Sequence, residues 1–500
     1  MNVTLLPSTT SFMGHRKKRH VNKQVILMFF LILFFPIHGF AQTEPPGFYE
    51  QLKAHVAIDS NAKLQIASIE ITGNKKTKRY IIEREMRFKK GDTIIAAQIF
   101  KKLQLSQELI YNTALFTEVI LTPYFITGTD IRVLVTVKEK WYIYPTPQFQ
   151  LVDRNLNEWL NTFNADLERV TYGAKFVHYN LTGRRDQLKI YLLNGFARNF
   201  SFVYNAPVSN RALTEGFSVA AGFTQNREII YKTDADNKPL RYSIDGFVRN
   251  QFYMNGTYIR RNGFYRTRQF GIGYQYMDVA DSVTSFYNLN YFNNNKSYAG
   301  FPVVTFRFQY INTNNINYPL KGKIHSLLFT KRGWGIDGGV NMLSVDGDYQ
   351  KFWTHQKNWY SVFGGHFRIK LPFEQSFINQ QALGYGQFYL RGLENYVIDG
   401  VASALAQYTL KKKIWSFNIP IPFKNNILDK IPFNIFAKTY GDLGYSHLKP
   451  AFDTRLNNRM LYSGGFGIDI LSLYDVNMSL EYSFNQLGEK GLFLRAKGGF

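Results

Sequence analysis

Beyond Ala41, no stretch of this chain is apolar for long enough to cross a bilayer as a helix, yet segment after segment alternates apolar with polar residues. In YDVNMSLEYSFNQ (474–486), Val476, Met478, Leu480, Tyr482 and Phe484 fall on one parity, and Asn477, Ser479, Glu481, Ser483 and Asn485 on the other. Successive side chains of a strand point to opposite faces, so such a segment has one face for lipid and one for water. The last segment repeats the pattern, with Leu492, Leu494, Ala496 and Phe500 set against Arg495 and Lys497. Aromatic residues make up 17% of the chain while mean hydropathy is only −0.24. A backbone that crosses lipid without helices must close its hydrogen bonds between strands, which predicts a barrel.

The start of the chain has a different character. HRKKRHVNK (15–23) is basic, VILMFFLILFF (25–35) is unbroken apolar sequence about half the length of a bilayer-spanning helix, and Gly39-Phe40-Ala41 offers small residues at a cleavage position. Residues 1–41 are expected to be a signal peptide, with Met1 or Met13 as the start, and the mature chain to begin near Gln42. Residues 42–63, with Pro45-Pro46-Gly47, read as a linker. There is no cysteine, which removes disulfides, thiolate metal sites, cysteine nucleophiles and an N-terminal lipid anchor. Of the formal charge of +24, five basic residues and no acidic one lie in residues 1–41, leaving +19. On an exported chain with scattered cations, that charge suits anionic headgroups or acidic glycolipid better than nucleic acid.

Residues 64–144 read as an independent α+β domain of order β-α-α-β-β. LQIASIEITGN (64–74) is a strand ending at a Gly-Asn turn. TKRYIIEREMRF (77–88) reads as a short amphipathic helix capped by Thr77, with Glu83 and Glu85 two residues apart and solvated. A longer helix over 96–116 carries an apolar stripe of Ile99, Leu103, Leu109 and Ile110, and two strands follow at 117–126 and 131–144. From Pro145 to Phe500 the helical period is absent. Allowing about 20–24 residues per strand with its connection, these residues make about 15–18 strands, and an even number near 16 is expected. The fold class is therefore a transmembrane β-barrel of about 16 antiparallel strands preceded by one α+β domain.

Within the barrel, YLRGLENYVIDG (389–400) stands out. GYGQFYL (384–390) and GVASALAQYTL (400–410) read as strands, so Arg391 belongs to a connection at one rim. FNIFAKTYGDLGY (433–445) sets Phe436, Lys438, Tyr440, Asp442 and Gly444 on the parity opposite Ile435, Ala437 and Leu443. If the latter face lipid, Asp442 points into the lumen and needs a partner or water. The planar fork of an arginine suits a carboxylate, and the glycine after Arg391 lets the backbone turn close to the wall.

At these residues the chain resembles the BamA-type outer-membrane assembly and translocation superfamily, which includes TamA, the chloroplast Toc channel and the two-partner-secretion transporters. LRGL (390–393) is similar to that family's Val/Ile-Arg-Gly-Phe/Tyr motif in an inward-folded sixth loop, and YGDLG (440–444) to its wall motif. Residues 64–144 resemble its POTRA module in the Gly73-Asn74 turn, FKKGD (88–92), IYNTALF (110–116) and VTVKEKW (135–141). Phe500 matches the terminal aromatic by which outer-membrane strands are read during insertion. The resemblance implies that Arg391 reaches Asp442 and, with Gly392 and Gly444, pins the loop inside the lumen. It also implies that the first and last barrel strands, near 170–180 and 491–500, form a seam that can part. Three departures accompany it. Leu393 stands where the family has an aromatic, Gln407 where it usually has a lumen-facing Glu, and there is one POTRA module where the BamA type has several.

The expected function is insertion or translocation of other polypeptides at the bacterial outer membrane, with the POTRA domain in the periplasm. Alternatives are a dedicated exporter of the two-partner type and a passive pore with a vestigial periplasmic domain. Expected partners are unfolded outer-membrane or secreted polypeptides, outer-membrane lipid and lipopolysaccharide, and accessory lipoproteins, but no nucleic acid. Gly-x-Ser-x-Gly, HExxH, P-loop and EF-hand patterns are missing and the nine histidines are dispersed, so no enzyme activity, metal or cofactor is expected.

Overall fold

A computed structural model describes residues 60–151, 159–160, 163–292, 296–336, 339–420, 430–449, 454–472 and 476–497. The expected signal peptide, most of the expected linker and Phe500 lie outside these residues. The N-terminal domain runs β1 (Lys63–Thr72), α1 (Arg79–Glu83), β2 (Thr93–Ile95), α2 (Ala96–Tyr111), β3 (Phe116–Thr127) and β4 (Asp130–Glu139). Its sheet has the order β2-β1-β4-β3, with β1 and β4 parallel. The stripe on α2 packs Ile99, Leu103, Leu109 and Ile110 inward, and Ile99, Leu103 and Ile110 join a core with Ile66, Phe116, Leu121, Val133 and Val135.

Three local readings change. Strand β2 is three residues long, too short for alternation to betray it. Helix α1 is a single turn, and Thr77 does not cap it; Lys78 holds the cap position without a side-chain bond. The Thr77 hydroxyl instead lies 3.0 Å from the Tyr142 hydroxyl and accepts from Asn180 Nδ2 at 2.9 Å. The expected strand 131–144 is two strands. β4 ends at Glu139, whose carboxylate accepts the Lys76 and Thr77 backbone N–H groups, and the chain restarts at β5 (Ile143–Leu151) as the first barrel strand. The barrel therefore begins at Ile143, and the segment near 170–180 is its second strand.

The barrel continues through β6 (Val170–Tyr179), β7 (Gln187–Gly195), β8 (Ala197–Ala206) and β9 (Glu215–Asn226). A separate hairpin, β10 (Glu228–Thr233) and β11 (Pro239–Ser243), precedes β12 (Arg249–Asn262), β13 (Arg266–Val279), β14 (Tyr298–Thr313), β15 (Gly322–Arg332), β16 (Met342–Thr354) and β17 (Trp359–Leu371). After helix α3 (Phe377–Gln380) and a small ribbon, β18 (Gln381–Leu383) and β19 (Ile398–Asp399), the wall resumes. Its last strands are β20 (Ala402–Pro420), β21 (Lys430–His447), β22 (Leu461–Leu471), β23 (Asn477–Asn485) and β24 (Lys490–Lys497). Sixteen strands form one antiparallel sheet from β5 to β24, and among the described residues no ladder joins those two ends.

The two faces sort as the alternation requires. Phe270, Ile272, Tyr408, Leu443, Tyr462, Phe466, Leu480 and Leu494 are exposed on the outside, while Asp346, Lys438, Asp442, Asp469, Glu481 and Ser483 are buried. The N-terminal domain meets the turns at one rim: Lys78 N–H donates to Gly183 O at 3.0 Å, Arg185 Nε to Thr113 O at 3.1 Å and Asn112 Nδ2 to Thr313 O at 2.7 Å. At the other rim Ile229, Val248, Met277, Val283, Phe292, Phe301 and Phe377 bury one another in an apolar cap.

Candidate functional site

The connection between β17 and β20 spans residues 372–401 and is longer than expected, because GYGQFYL is loop rather than strand. It folds back as one packed unit. Lys370 Nζ donates to Gln381 O at 2.6 Å and Gly400 O at 3.1 Å, which ties the two loop ends to one wall residue. Leu383, Leu390, Leu393, Tyr396 and Ile398 then bury against Leu405, Leu456 and Leu461. Leu393 is 2% exposed, so a leucine fills the position where an aromatic was expected.

Packed this way, the loop delivers Arg391 to Asp442. The Arg391 backbone N–H and Nε each donate to Asp442 Oδ2 at 2.9 Å, and Nη2 donates to Oδ1. The remaining fork nitrogen, Nη1, donates to Thr409 Oγ1 at 3.0 Å, and the guanidinium lies 3.9 Å from the Tyr440 ring centroid. A bidentate, charge-assisted pair with a cation–π contact behind it is a demanding geometry to satisfy by accident. Gln407 sits differently from the expectation. Its Nε2 donates to Asp442 Oδ2 at 3.0 Å, so it is a fourth donor to the acid, after three from Arg391.

The glycines have steric reasons. Gly392 has φ of 93°, and a Cβ there would stand 3.0 Å from Ser483 Cβ; its carbonyl accepts from Asn485 Nδ2 at 2.7 Å. A Cβ on Gly444 would lie 2.7 Å from Leu390 Cδ1. Arg391, Gly392, Asp442, Gly444 and Gln407 are thus brought together in one place.

Residues outside the motif extend the site. Gly392 N–H donates to Glu394 Oε2 at 2.7 Å, and the other oxygen of Glu394 pairs with Arg495 on β24, which also pairs with Glu481. Lys438 joins Glu481 at 2.6 Å to Asp469 at 2.5 Å, and Asp469 also accepts from Lys411 and the Tyr318 hydroxyl. Inward parity marked Lys438, Glu481 and Arg495 in the sequence, but Glu394 had no such signal because loops have no period. A cavity of about 540 Å³ beside this network is lined by Tyr389, Arg391, Gln407, Thr409, Glu481 and Arg495. No group of His, Asp and Glu that could hold a metal ion occurs among the described residues.

A second acid, expected to be solvated, is buried. Glu83 is exposed and pairs with Arg79, but Glu85 is 3% exposed. Arg261, at the foot of β12, donates through Nη2 to Glu85 Oε2 at 2.7 Å and through Nη1 to Oε1 at 2.5 Å, and Arg84 Nη1 reaches Oε1 at 3.1 Å. Burial alone would raise this carboxyl, but the bonds and charge of Arg261, with Arg185 and Arg84, outweigh it and hold the pKa below the usual value.

Residues 64–140 match the POTRA family model, described as a surface antigen variable number repeat. Among solved structures, the chain is similar to CdiB from Escherichia coli at 12% identity, covering 87% of this chain and 76% of that one, with a TM-score of 0.50. It also matches the crystal structure of BamA from Haemophilus ducreyi lacking POTRA domains 1–3, at 14% identity over 87% and 84% of the two chains, with a TM-score of 0.49. A search of curated proteins finds no match. The chain thus joins a POTRA domain to a 16-stranded antiparallel barrel whose fold is shared with CdiB, as the resemblance to the BamA/TamA-type superfamily implies.

Proposed function

We propose that this protein takes unfolded polypeptides from the periplasm and inserts them into, or passes them across, the outer membrane. In this reading the POTRA domain lies in the periplasm and its twelve-residue edge strand β3 pairs with an extended client. The client then reaches the seam between β5 and β24, where it adds as a strand while the wall parts. Arg391, Gly392, Asp442, Gly444 and Gln407 act as a lock that keeps the loop in the lumen during this exchange. The observation that carries the reading is the Arg391–Asp442 pair, because a loop held in the lumen by a buried ion pair narrows any permanent aqueous route and leaves the wall as the working surface.

Depletion of the protein with profiling of the outer-membrane proteome tests this. Loss of several barrel proteins at once is expected. Loss of one secreted protein alone identifies a dedicated exporter instead. An unchanged proteome, with a large conductance rise in Arg391→Ala, identifies a pore.

A further inference from the structure

The β20–β21 hairpin outruns its neighbours on the POTRA side. β17 stops pairing with β20 at Lys412, and β22 stops pairing with β21 at Asn434, but the two arms stay paired with each other as far as Pro420 and Lys430. A bulge at Ile414 resets the register, and below it Trp415 faces Ile435, Phe417 faces Phe433 and Ile419 faces Ile431. The opposite face carries Ser416, Asn418, Pro432 and Asn434, with Ser416 Oγ donating to Asn434 Oδ1 at 2.9 Å. The ribbon is therefore amphipathic with period two, and its apolar face is unburied: Trp415 is 61% and Ile414 54% exposed.

We infer that this apolar face rests on lipid at the POTRA-side membrane surface, as an anchor for an anionic bilayer. Two observations select lipid. The face continues the barrel's lipid-facing belt without a break, since Ile435 pairs with exposed Ile470 and Ala437 with exposed Ile468 on β22. Lys412, which pairs with outward-facing Ala437, stands where the hairpin leaves the wall, at the level where cations meet headgroups. The edges are less suited to capturing a strand, because Pro420 and Pro432 lack the N–H that a pairing chain would use. Trp415 and the stacked pair Phe417–Phe433, with ring centroids 5.2 Å apart, are the amphipathic and aromatic groups that settle at a lipid boundary.

The chain has no cysteine, so single labels can be placed cleanly. Phe417→Cys and Ser416→Cys, each carrying an environment-sensitive fluorophore, would be reconstituted as full chains in phosphatidylethanolamine–phosphatidylglycerol vesicles and quenched by nitroxide lipid or aqueous iodide. The lipid-to-iodide quenching ratio is expected to be about threefold or more higher at 417 than at 416, because adjacent strand residues face opposite sides. Ile419→Cys repeats the outward measurement should Phe417→Cys fail to insert. Equal iodide access at both faces overturns the inference. So does protection that depends on protein density, which would indicate a second copy, or protection that arises only on adding unfolded polypeptide.

Discussion

Asp442 and Glu85 are both buried acids, 2% and 3% exposed, and each meets an arginine from a distant part of the chain. Asp442 has one cation, Arg391, supported by neutral donors from Gln407 and the loop backbone. Glu85 has Arg261 and Arg84 in contact and the field of Arg185 beyond them. The first pair closes on a single contact between loop and wall, whereas the second spreads the attachment of the POTRA domain over several cations. A site with one cation per acid is strong and brittle, and a site with surplus cations yields in steps.

The largest expected effect is therefore at the lock. Asp442→Ala leaves Arg391 buried with only Thr409 and Tyr440, and losing one partner of such a pair is expected to destabilise the loop by about 3–5 kcal/mol. Unfolding midpoints in detergent, read together with conductance, check this. Asp442→Asn and Arg391→Ala should give similar phenotypes, and full function in either would count against the lock.

Glu85→Gln should be milder. Arg261 keeps its bond to Phe264 O at 2.8 Å and Arg84 keeps Leu213 O, so about 1–3 kcal/mol of POTRA attachment is expected to be lost. Hydrogen exchange over residues 60–142 would read it. The pH dependence has a definite sign. A carboxyl whose pKa is held below its ordinary value of about 4.5 stabilises the joint fully above that value and releases it only as pH falls through the depressed one. Neutral and mildly acidic conditions should thus leave the joint closed, with exchange rising only in stronger acid. Loosening already at pH 6 would contradict the arrangement.

The contrast also explains what was legible in the sequence. The wall strands were readable because lipid on one side and water on the other impose period two, and that period placed Asp442, Lys438, Glu481 and Arg495 inward. The lock was readable because a short motif accompanies it. Glu85 was not, since its partner lies 176 residues away at the end of a barrel strand and nothing local distinguishes a helix-end acid that is solvated from one that is covered. The break between β4 and β5 was hidden for a related reason. Lys140 to Tyr142 continue a strand-like run, and the chain stops there because Glu139 is occupied by the backbone at Lys76 and Thr77.

Gln407 offers the finest test of the comparison, since Gln407→Glu would give the lock a second acid. Its amide nitrogen now donates to Asp442 Oδ2, and Arg391 Nη1 is taken by Thr409. An ionised carboxylate at 407 would face Asp442 with no proton between them, while Arg391 would have to leave Thr409 to neutralise it. At pH 7 the variant is expected to lose about 0.5–1.5 kcal/mol of loop stability, and to regain it at lower pH, where the introduced carboxyl is protonated and donates as the amide did. Unfolding midpoints at pH 7 and pH 5 separate the cases. Greater stability at pH 7 would mean that Arg391 can serve two acids at once, and that the lock holds the same cationic reserve as the Glu85 site.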